Sequence, residues 1–155
     1  MAATAHWFGR SLGSSLGGYA LGDSYRTDWL SDTIKVALFT SATPPDQDFS
    51  PPTYTDIALV MTEVSDAGTG YTTGGETLVN KTMAYTDVTH LTVMDADNVT
   101  WLGVSLTCRY ALVYNDTDPG KMALAYYDFG EDKGVISGTF TVDWDATGIL
   151  QTTAG

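Results

Sequence analysis

The side chains able to do chemistry are few, and their spacing is poor for catalysis. Asp95-Ala96-Asp97-Asn98, Asp116-Thr117-Asp118 and Asp143-Trp144-Asp145 place carboxylates two residues apart. Such pairs could offer hard oxygen ligands to calcium, or an acid and a base for glycoside hydrolysis. None has the spacing of the twelve-residue EF-hand loop, and aspartates at strand ends also close turns and discourage edge pairing. His6 and His90 are the only histidines and Cys108 the only cysteine, so a closed zinc site has too few ligands in the right spacing. A serine triad would need one of those histidines, and no Gly-x-Ser-x-Gly elbow accompanies them. Cys108 lies in an alternating run with Arg109 on the opposite face, so its thiol is expected to be a small buried apolar group. The expectation is a protein that is not an enzyme, with no catalytic residues, no metal and no cofactor.

Gly68-Thr69-Gly70-Tyr71-Thr72-Thr73-Gly74-Gly75 is the most distinctive stretch. Its glycines admit positive φ, so a shaped loop can lead into the strand that follows. No Walker lysine follows, and the glycine spacing is not that of a dinucleotide fingerprint. The loop is therefore expected to be architecture or a contact, with Tyr71 outward as a partner-binding candidate of large area and low entropy cost.

The 155 residues fit one domain, able to bury roughly 70% of the unfolded chain's surface. Hydrophobic residues make up 43% and charged residues 17%, the latter below the ~25% of an average soluble domain. Threonine, tyrosine and valine fill the difference and favour strands. A formal net charge of −12 repels phosphate backbones and anionic bilayers, so neither nucleic acid nor membrane is an expected partner. No apolar run reaches the ~20 residues of a bilayer span. No basic region precedes an apolar core at the N-terminus, which makes synthesis in a cytoplasm the expectation. The sequons at Asn80, Asn98 and Asn115 then read as products of composition.

The elements follow from periodicity. Residues 1–33 form an N-terminal arm or short helix. Phe8, Leu12, Leu16 and Tyr19, with Trp7 beside them, have helical spacing, but interleaved glycines weaken the helix by about 1 kcal/mol each. Such a segment needs something to pack on, either its own domain or a neighbouring molecule. From Ile34 the period is two, and residues 34–150 are expected to be one antiparallel β domain, with 151–155 a tail. Pro44, Pro45, Pro51 and Pro52 bound a surface excursion. Asp56 could cap a short helix with Ile57, Val60 and Met61 on one face. Strands are predicted over 77–85, 90–94, 99–114, 122–129 and 138–144. In the longest, Val104, Leu106, Cys108, Tyr110, Leu112 and Tyr114 are expected to share a single buried face. Asp118-Pro119-Gly120 predicts a type II turn into the next strand. Short antiparallel strands without helical runs between them indicate a mainly β fold, a sandwich or a barrel.

The glycine stretch with Leu78 and Lys81-Thr82, and the segments 32–38, 95–101, 109–114 and 140–148, together resemble small virion structural proteins of tailed bacteriophages. The likeness covers most of residues 30–150 but not the Pro44 to Pro52 excursion. It implies a non-enzymatic capsid decoration (cement) protein, made in the host bacterial cytoplasm and resident in the virion, with the major capsid protein and further copies of itself as partners. A minor tail or head-to-tail role is the alternative implied by the same family. A calcium-dependent carbohydrate-binding module for host attachment remains open from the aspartate pairs. The contact candidates are Trp7, Phe8, Leu12, Leu16 and Tyr19 in the arm, and Tyr71.

Overall fold

A computed structural model describes residues 4–8 and 27–153. The elements are β1 (Thr4–Trp7), β2 (Ile34–Phe39), α1 (Tyr54–Val60), β3 (Glu76–Thr77), β4 (Thr82–Thr86), β5 (Leu91–Asp95), β6 (Val99–Asn115), β7 (Ala123–Val142) and β8 (Leu150–Thr153). They form a five-stranded sheet in the order β1-β7-β6-β2-β3 and a three-stranded sheet in the order β4-β5-β8, with every pairing antiparallel. The expected β fold is therefore present as a sandwich-like pair of open sheets and not as a closed barrel.

The long hairpin β6–β7 is the frame, and its irregularities decide which face each side chain meets. The alternation expected from Val104 to Tyr114 breaks at Arg109. Register passes from Cys108 opposite Lys133 to Tyr110 opposite Asp128, so β7 carries extra residues against one on β6. That bulge reverses the phase of β6. Val104, Leu106, Cys108, Ala111 and Val113 join one core, while Tyr110, Leu112 and Tyr114 join a second on the opposite face. Gly130 (φ 80°) turns the extra segment, and the Arg109 Nε to Asp128 Oδ1 ion pair at 3.0 Å ties its base. The two strands expected at 122–129 and 138–144 are accordingly one strand, interrupted by glycine-bearing bulges.

The larger core joins Ile34, Val36, Leu38 and the inward residues of β6 and β7 to Leu150 of β8, with Met94 of β5 packed against it. The smaller core lies on the other face of the five-stranded sheet, where Ala37, Phe39, Leu112 and Tyr114 meet Ile57 and Met61. Each fully buried large apolar side chain contributes about 1.5–3 kcal/mol, so a short helix suffices to close this face. Thr53, not Asp56, caps α1: its hydroxyl accepts the Asp56 N–H at 3.1 Å. Val60 faces solvent while Ile57 and Met61 are buried.

Other expectations are corrected by local backbone chemistry. The strand expected over 77–85 splits into β3 and β4, and Asn80 between them has φ 52°. Of the tail expected at 151–155, the described residues 151–153 are strand, because β8 pairs with β5 from Leu150 to Thr153. At Asp118-Pro119-Gly120 the left-handed residue is Lys121 (φ 51°), not the glycine a type II turn would use. Asp118 Oδ1 accepts the Gly120 N–H at 3.1 Å, and Asp118 O accepts the Lys121 N–H at 2.8 Å.

Candidate functional site

The glycine loop is a clasp on its own sheet. Gly75 has φ 71°, and a Cβ there would lie 1.8 Å from Val36 O, so only glycine lets the loop press on β2. Tyr71 is 2% exposed, which corrects its expected outward role. Its hydroxyl accepts the Leu38 N–H at 2.9 Å and donates to Glu63 Oε1 at 2.7 Å. The same carboxylate oxygen accepts the Gly74 N–H at 2.7 Å, and Oε2 accepts the Tyr54 hydroxyl at 2.6 Å. Tyr114 stacks on Tyr54 with ring centroids 4.4 Å apart and donates to Gly74 O at 2.8 Å.

Burial pushes the Tyr71, Tyr54 and Tyr114 phenols above their ordinary range, and the Glu63 charge adds to each. They are held protonated as donors, Tyr54 and Tyr71 to the Glu63 carboxylate and Tyr114 to the Gly74 carbonyl. This arrangement orders a loop; it leaves no free base beside a nucleophile. Nothing in the sequence around Glu63 marks it as the centre of this network, because its partners come from α1 and the glycine loop.

The aspartate pairs are engaged in the same internal way. Asp118 closes its turn, Asp116 pairs with Lys121 at 2.7 Å, Asp97 accepts from Asn80 at 2.5 Å, and Asp143 accepts from Asn98. Asp145 Oδ1 accepts from both the amide (2.9 Å) and the hydroxyl (2.7 Å) of Thr147. Among the described residues no three His, Cys, Asp or Glu side chains are grouped to hold a metal. His6 stacks on Tyr126 and His90 meets Tyr85. Cys108 is buried, which pushes its thiol up to about 12, so it is unreactive at neutral pH.

The arm candidates divide. Trp7 and Phe8 stand at the strand β1, not in a helix, and successive residues there go to opposite faces. Trp7 packs against the larger core and donates its indole N–H to Gln151 O at 3.0 Å, whereas Phe8 is buried in the smaller core. Leu12, Leu16 and Tyr19 lie outside the described residues. Trp7, Phe8 and Tyr71 therefore form no shared outward surface.

The outward apolar surface lies elsewhere, on residues that periodicity did not single out. In the hairpin β4–β5 all of β4 is exposed, including Met83 and Tyr85, and Val88 at the tip is 89% exposed. Asp87 is the sole charged residue between Thr82 and Val93, in a chain whose charge is −12. β4 is also an edge of its sheet, and at its start Trp29 donates to Thr82 O at 2.9 Å. On the outer part of β6–β7, Leu102 and Ile136 project from bulges, Ile136 at 90% exposure. No described helix is long and apolar enough to cross a membrane. Comparison of the chain with protein-family models, curated proteins and solved structures gives no match.

Proposed function

We propose that the protein is a non-enzymatic structural protein of a tailed-phage virion, a capsid decoration protein that binds the outer surface of the assembled shell. The observation that carries this reading is the β4–β5 hairpin, whose exposed edge strand Thr82–Thr86 has no charged residue and whose outward Met83, Tyr85 and Val88 stand on a strongly acidic protein. Native proteins usually blunt such edges with charge or proline, and an unblunted one is suited to pairing with a partner. The sequence resemblance to virion proteins supplies the kind of partner. The internal use of the aspartates and tyrosines supports a role in binding over one in catalysis.

Its mechanism is mass action. A module that binds the assembled shell and not free subunits stabilises the shell by an amount set by its excess over the dissociation constant. Quantitative protein stoichiometry of purified virions tests this reading: copies comparable in number to the major capsid protein are expected, and a few copies per particle would instead indicate the tail or head-to-tail role.

A further inference from the structure

We infer that the open edge of β4 pairs with the same edge of a second copy of this chain, antiparallel and centred on Ala84, so that two three-stranded sheets join into one of six strands. The inference rests on the hairpin as the contact surface of the proposed function. It names what the main-chain edge takes and leaves Val88 at the tip for the shell.

Thr82–Thr86 is exposed along its whole length, is the terminal strand of its sheet, and contains no proline and no charged residue. Main-chain groups along such an edge accept a further strand. A net charge of −12 per chain opposes contact between two copies over most of the surface. A second copy therefore needs a place where its charges complement those of the first.

The sequence around Ala84 is such a place. An antiparallel self-pair about that residue sets Ala84 opposite Ala84, Met83 opposite Tyr85, Thr82 opposite Thr86 and, flanking the strand, Lys81 opposite Asp87. Two-fold symmetry makes each unlike pair twice. Opposite residues of an antiparallel pair share a face with Cβ atoms about 4.5–5.5 Å apart, so the exposed Met83 and Tyr85 cover one another in a sulfur–aromatic contact. Every other register breaks both Lys81–Asp87 pairs. Lys81 has room for the added charge. Its Nζ donates to Asp32 O, yet burial holds its ammonium below the ordinary range in spite of Asp32 and Asp28, and a further carboxylate stabilises the charged form.

Five residues of edge bury less than the roughly 1,200 Å² of a stable complex. The pairing is accordingly weak in dilute solution and is completed where the shell holds copies side by side at high effective concentration.

Sedimentation equilibrium of the full chain up to about 1 mM tests this, with a reversible dimer of Kd about 0.1–1 mM expected. On mild oxidation at that concentration Ala84→Cys should form a disulfide-linked dimer, because directly opposed Cα atoms lie about 4.5–5.5 Å apart. Thr86→Cys, displaced roughly 13 Å along the strand from its counterpart, should not, and the buried Cys108 does not compete. Asp87→Lys and Lys81→Glu should each weaken the dimer at least about tenfold, and an equimolar mixture of the two should restore it, since opposite charges then face each other at both ends. Asp87 is exposed in the turn, so its variant tests the register even if the Lys81 variant folds poorly. A monomer at every concentration, cross-linking of Thr86→Cys as readily as Ala84→Cys, or unchanged dimerisation of Asp87→Lys would overturn the pairing. A dimer of this register that does not co-sediment with capsids would uphold the pairing and sink the capsid reading alone.

Discussion

The glycine loop and the β4–β5 hairpin are both threonine-rich excursions from the same sandwich, yet they use their polar groups in opposite ways. In the loop, Glu63 gathers Tyr54, Tyr71 and the Gly74 amide, and Gly75 rests against β2. The Tyr71 ring and the Gly74 amide, which could have met a partner, are committed to the fold. The hairpin keeps an edge strand and the side chains of Met83, Tyr85 and Val88 facing out. The lesson is that a distinctive sequence motif can be the internal clasp, while the unremarked strand carries the surface.

This contrast can be broken by substitution. The largest effect is expected from Gly75→Ala, which forces a Cβ into Val36 O and strains a positive φ; a loss of roughly 4 kcal/mol, or of the folded state, should appear in urea denaturation. Glu63→Ala strands the Tyr54 and Tyr71 hydroxyls and the Gly74 N–H, and should cost about 2–4 kcal/mol by the same measurement. Titration sharpens the point. The clasp phenols lie above their ordinary 10.0 in the folded protein, so their stabilising contribution is whole below pH 10 and falls as pH rises beyond it, when the unfolded chain ionises first. The urea midpoint should decline above that pH, and the decline should be shallower in Tyr71→Phe. The smallest stability effect belongs to the hairpin: Val88→Asp should change stability by no more than about 0.5 kcal/mol, while weakening attachment to capsids at least about tenfold in a co-sedimentation assay.

Much of the frame was legible because alternation at Ile34 to Phe39 and through most of Val99 to Tyr114 reports burial directly. It failed where backbone geometry intervened. The bulge at Arg109 reverses the inward face, so Ala111 and Val113 enter the larger core and Tyr110, Leu112 and Tyr114 the smaller. Gly130, Gly134 and Gly138 made one strand read as two. Leu150 to Thr153 is too short to carry a period of its own and is a strand because β5 offers it an edge. At the candidate site, helical spacing in the arm was misleading over Trp7 and Phe8, which a strand splits between the two cores. The burial of Tyr71 is not legible from spacing because it depends on Glu63 and Leu38, contacts made by folding.

Hydrogen–deuterium exchange on the protein, free and then bound to assembled capsids, tests the central claim most directly. Slowed exchange on binding is expected across residues 82–93, with no change across 68–78, which is already clasped. Protection of 68–78 with 82–93 unchanged would contradict it.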